Sequence, residues 1–541
     1  MVLRESRGRL GRQSLRGDLK VGPLHPFVKI LFVTSHFGFL RNFEFAIRAL
    51  AARGHEFRLV ADRRDSLDGA RTIDGLRADF PRTISEVAGP KIKDTTWQPL
   101  GSALRLTLDY WRYLHPRYAD SPKLKARAAS QAPPLASTLG RMPVLGSRVG
   151  LQAMGRVMRS LERSLPISPP VVEFLRTERP DLLLVTPLLY FGSQQGDYIR
   201  AARQLGIRSV LCVGSWDHLT TKGLIHEVAD RVIVWNEAQR QEAAEIHGIP
   251  ASRVSVTGAQ AYDHWFVTRP TLSREAFCAK VGLRLDRPFL LYLCSSPFIT
   301  PHEVGFVDRW IGGMRASTHA ALRDAGILVR PHPQNAEQWT DATVSRFGNV
   351  AVYPRGGANP VDSDARAEYF DSMHHSAAVV GVNTSGLIES GIVGRMVYTV
   401  LDAEFASTQE GTLHFRHLQR VNGGLLHVAQ SMAEHYAQLT EVLTGQTTFD
   451  DKARRFVETF IRPGGVDVPA AQIFADVIEA EGRLAPPAPV RSSALVPAWH
   501  AVLTPIALAA QAAAKQRREE VRRQKAEQVF RDKDPAAGEA R

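Results

Sequence analysis

Cysteine is scarce: Cys212, Cys278 and Cys294 are the only three in 541 residues. They share no paired spacing and fall in or near apolar runs, so the sequence excludes a disulfide framework or a thiolate metal site and fits a reducing cytosol. Long hydrophobic runs are missing as well. The basic N-terminus lacks the uninterrupted apolar stretch of an export signal, and no clean run of about 18 apolar residues occurs anywhere. The expectation is a cytoplasmic protein, at most peripheral at the inner membrane. Residues 495–514 come nearest to a span, but Pro497, His500, Pro505 and Gln511 interrupt them; this segment reads as surface-seeking or simply helical.

Acidic charge is in deficit. With 68 Lys and Arg against 55 Asp and Glu, the formal net charge is +13. About half of that surplus sits at the ends: residues 1–20 hold six basic and two acidic groups, and residues 515–541 hold nine and six. The long body between them carries too little excess charge, and no RNA-binding signature, for nucleic acid to be an expected partner. Basic tails suit weak attraction to an anionic membrane surface.

The chain is too long for one ordinary core, and a hydrophobic content of 44% supports burying two. Residues 27–34 form an apolar run of buried-strand length. A helical pattern through Phe43, Ile47 and Leu50 follows, Gly54 stands where that helix would stop, and a second run spans Phe57 to Ala61. Further runs at 182–186, 209–213 and 232–235 alternate with helical text. A second alternating unit opens after Pro288 and continues through 327–330, 350–353, 377–382 and 396–401. This is the pattern of an α/β protein with two Rossmann-like, doubly wound domains facing a cleft.

The expected boundaries are a basic tail at 1–26, a first domain at 27–264 with a helical insertion at 97–170 overhanging the cleft, and a linker at 265–287. A second domain follows at 288–483, its terminal helices able to pack across both domains, and then a basic, Ala/Arg-rich tail at 484–541. No repeat of solenoid period is present.

Several motifs could carry chemistry. Arg330-Pro331-His332-Pro333 ends a strand, with the prolines fixing the backbone. Fifty residues on, a buried run leads into Asn383-Thr384-Ser385-Gly386 and a helix, a turn whose backbone N–H groups suit an anion. Glu389 lies one helical turn beyond Ser385, placed to accept hydrogen bonds from a ribose. In the first half, His36-Phe37-Gly38 follows the first strand, and a neutral imidazole there suits a general base. Asn42 and Glu44 read as capping residues. A second candidate base is Asp217, in the segment Gly214–Gly223, with Trp216 as a sugar-stacking platform and Lys222 as a partner for acidic groups. Asp362-Ser363-Asp364 reads as a solvated turn, and the adjacent His374 and His375 diverge, so no metal is expected.

The segments RPHP, NTSGLIESGIVGRMVY and SHFGFLRNFEFAIRALAARGHEF resemble the GT-B glycosyltransferase superfamily. Within it they look like CDP-glycerol glycerophosphotransferase-like and surface-polysaccharide transferases, and the non-hydrolysing UDP-N-acetylglucosamine 2-epimerases share the fold. The resemblance implies a metal-independent transferase without a resident cofactor. Such an enzyme takes a nucleotide-sugar or CDP-glycerol-like donor and a glycan or lipid-linked acceptor, in cell-surface glycan biosynthesis. It assigns His332, Thr384 and Ser385 to the donor diphosphate and Glu389 to the ribose. The turn departs from the epimerase pattern, where a glycine pair and a second consecutive glutamate would stand. A UDP-sugar epimerase and a non-catalytic nucleotide- or glycan-binding protein remain the alternatives.

Overall fold

A computed structural model describes residues 27–63, 69–91, 96–339, 344–360, 362–447, 451–490 and 496–533. The basic segment 1–26 lies outside them. Seven strands form the first sheet: β1 (Lys29–Thr34), β2 (Glu56–Ala61), β3 (Ile84–Glu86), β4 (Leu182–Thr186), β5 (Arg208–Cys212), β6 (Arg231–Val234) and β7 (Val254–Val256). Six more form the second: β8 (Phe289–Leu293), β9 (Gly326–Arg330), β10 (Val350–Val352), β11 (Ala378–Gly381), β12 (Val397–Val400) and β13 (Leu426–Ala429). The orders are β3-β2-β1-β4-β5-β6-β7 and β10-β9-β8-β11-β12-β13, with every pairing parallel. Each sheet therefore reverses direction once, between β1 and β4 and between β8 and β11, and a crevice opens at such a reversal.

The central strands are apolar throughout because helices cover both faces of each sheet. Along β1, Leu31 and Val33 enter one hydrophobic cluster while Ile30 and Phe32 enter another on the opposite face. The second sheet repeats this: Phe289, Leu291 and Leu293 face one cluster, Leu290 and Tyr292 the other. The helix Glu44–Ala52 buries Ala46, Ile47 and Leu50 against the first sheet.

The helical insertion is built from Gln98–Arg112, Pro122–Gln131, Pro134–Arg141 and Arg148–Ser164, between β3 and β4. It reaches the second domain: Arg416 pairs with Asp120 at 3.1 Å, the Ser121 hydroxyl donates to the Gly411 carbonyl, and the Arg127 guanidinium lies 4.3 Å from the Phe298 ring centre.

Two expected boundaries fall differently. The segment taken as a linker belongs to the second core, where Trp265, Phe277, Cys278 and Val281 are buried. The helix Ala470–Arg483, counted with the second domain but read as able to pack across both, returns to the first and buries Phe474, Ala475 and Ile478 beside Phe43 and Ile47. Residues 496–533, read as tail, form one helix that buries Leu503 and Ala507 against Leu100 and Leu165. Among the described residues, no helix is long and apolar enough to cross a membrane.

Where the chain passes between domains, Asp263 is the fixed point. Its carboxylate accepts from the Arg462 guanidinium at 2.7 Å and from the amides of Ala470 and Ala471 at 3.0 and 2.7 Å. Arg462 also lies 3.5 Å from the centre of the Phe266 ring. The outgoing and returning segments are thereby fastened together.

Candidate active site

Between the two sheets lies a cavity of about 630 Å³. Its walls contain all twelve residues singled out in the sequence: His36, Gly38, Trp216, Asp217 and Lys222 from the first domain, and Arg330, His332, Asn383, Thr384, Ser385, Gly386 and Glu389 from the second. They converge because each follows a strand end at or beside one of the two reversals of sheet order. His36 follows β1, Trp216 to Lys222 follow β5, Arg330 ends β9, and Asn383 follows β11.

The second-domain wall is cationic and provides hydrogen-bond donors. Arg330 is only 5% exposed. Its Nη2 lies 3.4 Å from Glu368 and its guanidinium 4.9 Å from the Tyr369 ring centre, while Nη1 is buried without a partner. Leaving such a donor unsatisfied costs about 1–3 kcal/mol. Burial, followed by the charge of Arg41, pushes the His332 imidazole down to about 4, so it is neutral at physiological pH. Its Nδ1 accepts from the Gln334 amide at 3.1 Å. That bond fixes the tautomer: the proton resides on Nε2, making it a donor.

At the turn, Leu387 N–H bonds to the Thr384 carbonyl, and the amides of Ile388 and Glu389 bond to that of Ser385. The Gly386 amide lies 3.5 Å from the Thr384 hydroxyl. The following helix, Gly386–Ile392, is short, and most of its first amides are already engaged; the expected row of open N–H groups is reduced. Asn383 is committed to the fold, its Nδ2 donating to the Thr408 carbonyl at 2.6 Å. Glu389 accepts from the Tyr369 hydroxyl at 2.8 Å. Burial raises its pKa, opposed by that hydroxyl and by Arg41 across the cavity.

The first-domain wall corrects two expectations. Trp216 is not an exposed stacking platform: it is 3% exposed, meets His414 edge-on at 4.6 Å, and donates from Nε1 to the Ser385 hydroxyl at 3.1 Å. It ties the domains together. Asp217 is not suited to act as a base. Its carboxylate accepts from the Ser215 and Thr221 hydroxyls at 2.5 and 2.9 Å and lies 3.7 Å from Lys222. Burial works against its charge, yet Lys222, His218, His414 and Ser215 together hold it well below the usual carboxylate range. Lys222 is correspondingly engaged with Asp217. His36 packs 4.6 Å from the Phe39 ring, in the loop that enters the short helix Phe37–Asn42, and Gly38 is buried there.

Glu44, expected as a cap, instead pairs with Arg48 at 3.1 Å and with Arg366 of the second domain at 3.0 Å; Phe43 holds the cap position. Asp362 caps the helix Ser363–His374 by accepting from the Ala365 amide at 2.8 Å. His375 bonds through Nε2 to the Leu272 carbonyl at 2.8 Å. Among the described residues, no cluster of metal-ligating side chains occurs.

Arg41, Arg127, Tyr262, Tyr369 and Arg366, which no motif in the sequence marks out, line the same cavity. Arg41 comes nearest, five positions after His36 within the opening segment. Tyr369 carried no signal of its own: its role comes from a helix packed beside β9 and the turn.

Two doubly wound domains across a shared cleft, with a C-terminal helix returning to the first, constitute a GT-B fold. Neither a protein-family model nor a curated protein matches the sequence. Among solved structures, the chain is similar to the UDP-GlcNAc 2-epimerase from Methanocaldococcus jannaschii, at 10% identity and a TM-score of 0.46 over 84% of this chain and 99% of that one. It is similar to a glycosyltransferase from Rickettsia africae ESF-5, at 10% identity and 0.46 over 84% and 98%. The lipopolysaccharide outer core galactosyltransferase WaaB is a third such structure, at 12% identity and 0.40 over 84% and 99%.

Proposed function

We propose that this protein is a metal-independent transferase that moves a glycosyl or glycerophosphoryl group from a nucleotide-activated donor to a hydroxyl acceptor. The observation that carries this reading is the pairing of Arg330, a buried cation with an unpartnered Nη1, with the Nε2–H of a neutral His332 on the wall that also holds Glu389. A fixed cation and fixed donors stabilise charge developing on a leaving phosphate, because they need no reorganisation as the bond breaks. Glu389 accepts hydrogen bonds from the ribose. Thr384 and Ser385 contact the diphosphate.

The acceptor enters from the first domain. Its hydroxyl oxygen forms the new bond as the bond to the leaving phosphate oxygen breaks, and its proton passes to the His36 imidazole. With a sugar donor, the electrophile is the anomeric carbon and a nucleoside diphosphate leaves. With a CDP-glycerol-like donor, the electrophile is phosphorus and the nucleoside monophosphate leaves. Asp217 and Lys222 shape the acceptor side as an ion pair.

Calorimetric titration of UDP and CDP into the Arg330→Gln and His332→Ala variants tests the donor wall. Loss of one charge-assisted bond to phosphate predicts affinity weakened at least about tenfold. Unchanged affinity in both variants removes the basis for the reading. Incubation with UDP-N-acetylglucosamine alone provides a second arm, since formation of the manno isomer without acceptor identifies an isomerase.

A further inference from the structure

Exposed apolar side chains are unevenly distributed over this molecule. Of the large hydrophobic residues at the surface, Leu135, Met142, Val144, Val149 and Val157 lie in the helical insertion, where Val144 and Val149 are 77% and 76% exposed, and Trp499, Val502, Ile506 and Leu508 lie on the C-terminal helix packed against it. Those of the insertion occupy the start of the helix Pro134–Arg141, the connecting loop, and the solvent side of the helix Arg148–Ser164. That second helix packs inward through Met154, Met158 and Leu161, so Val149 and Val157 are not needed for its own core.

Charge at this place is one-sided. Between Ser121 and Leu161 the sequence has seven basic residues and no acidic one. The next carboxylate, Glu162, is buried and bound to Arg105 at 2.8 Å. Among the described residues, Arg141, Arg148, Arg156, Arg159 and Arg163 form no ion pair, whereas arginines elsewhere on the surface commonly do, Arg48, Arg53 and Arg346 among them. Burial, and after it the neighbouring charges of Arg163 and Arg156, lowers the pKa of Arg159.

From this juxtaposition we infer that the helical insertion docks on an anionic lipid surface. Leu135, Met142, Val144 and Val149 enter the headgroup–acyl boundary, and Arg141, Arg148, Arg156, Arg159 and Arg163 meet the phosphates. Unpaired arginine interleaved with exposed aliphatic side chains matches an interface that is charged above and apolar below. A nucleic acid would satisfy the arginines and leave the valines exposed. The insertion also supplies Arg127 to the cavity wall, so docking through it holds the cleft near headgroup level, where a lipid-linked acceptor is presented. The docking itself does not depend on the transferase reading.

Co-sedimentation of the full chain tests this, using vesicles of phosphatidylcholine alone and vesicles containing phosphatidylglycerol. Binding to the phosphatidylglycerol vesicles is expected, weakened by salt. Arg141→Gln/Arg148→Gln/Arg156→Gln and Val144→Asp/Val149→Asp should each reduce it at least about tenfold, given the contribution of each basic or apolar group at such a surface. Since all five side chains are exposed, both variants should keep the wild-type melting temperature and nucleotide affinity. A third variant, Lys515→Gln/Arg517→Gln/Arg518→Gln, separates the C-terminal helix from the insertion and should retain most of the binding. The inference is overturned if that variant alone loses binding, if the insertion variants bind like wild type, or if the protein is retained on duplex DNA but not on vesicles.

Discussion

Glu303 is a carboxyl group with no solvent to support its charge. It is fully buried at the start of the helix Glu303–Arg315, accepting from the Tyr292 hydroxyl at 3.0 Å and the Ser295 amide at 2.8 Å. Burial pushes it up to about 7, against the opposing hydrogen bonds from Ser295, Thr300 and Tyr292. The folded protein therefore binds its proton more tightly than the unfolded chain does. The stability this gives is complete below the unfolded value of 4.5 and is lost as pH rises through about 7. In parallel thermal or urea unfolding, Glu303→Gln should gain on wild type between pH 5 and pH 8, by on the order of 3 kcal/mol. Parallel profiles for the two proteins would contradict this.

The sequence disclosed which residues meet but not always what each does. Strand-end position brought His332, Ser385 and Glu389 into one cavity, and that position was legible as an apolar run followed by polar residues. The role of Asp217 was not: its partners Ser215, Thr221 and Lys222 are near in sequence, but only the backbone turn determines that they, rather than a ligand, surround the carboxylate. Trp216 was unreadable for another reason. Its partner Ser385 lies in the other domain.

Among the elements, the turn and its helix depend on a missing side chain. A Cβ at Gly386 would stand 2.6 Å from the Tyr369 hydroxyl and 2.7 Å from a Leu293 methyl. Tyr369 holds Glu389, so Gly386→Ala should displace that tyrosine and weaken UDP or CDP binding several-fold in calorimetry, while melting falls by about 1–3 kcal/mol in stability. Intact nucleotide affinity would show that Glu389 keeps its position without Tyr369. Strands buried in the sheet centres announced themselves as continuous apolar runs. Of the four edge strands, β10 showed as the run 350–353, whereas β3, β7 and β13, three or four residues long and partly open to solvent, did not.

For the molecule as a whole, Asp263 has the largest structural reach, because Arg462 and two amides from the returning chain depend on it. Arg462 is itself buried. Asp263→Ala would leave an uncompensated buried guanidinium and should lower unfolding free energy by about 3–5 kcal/mol, read by urea titration; an unshifted midpoint would show that the Phe266 contact suffices. The same residue bears on motion. While its carboxylate keeps the two crossing strands of polypeptide together, parting the halves any further requires first breaking the latches at the far rim, Asp120 with Arg416 and the Trp216 indole with Ser385.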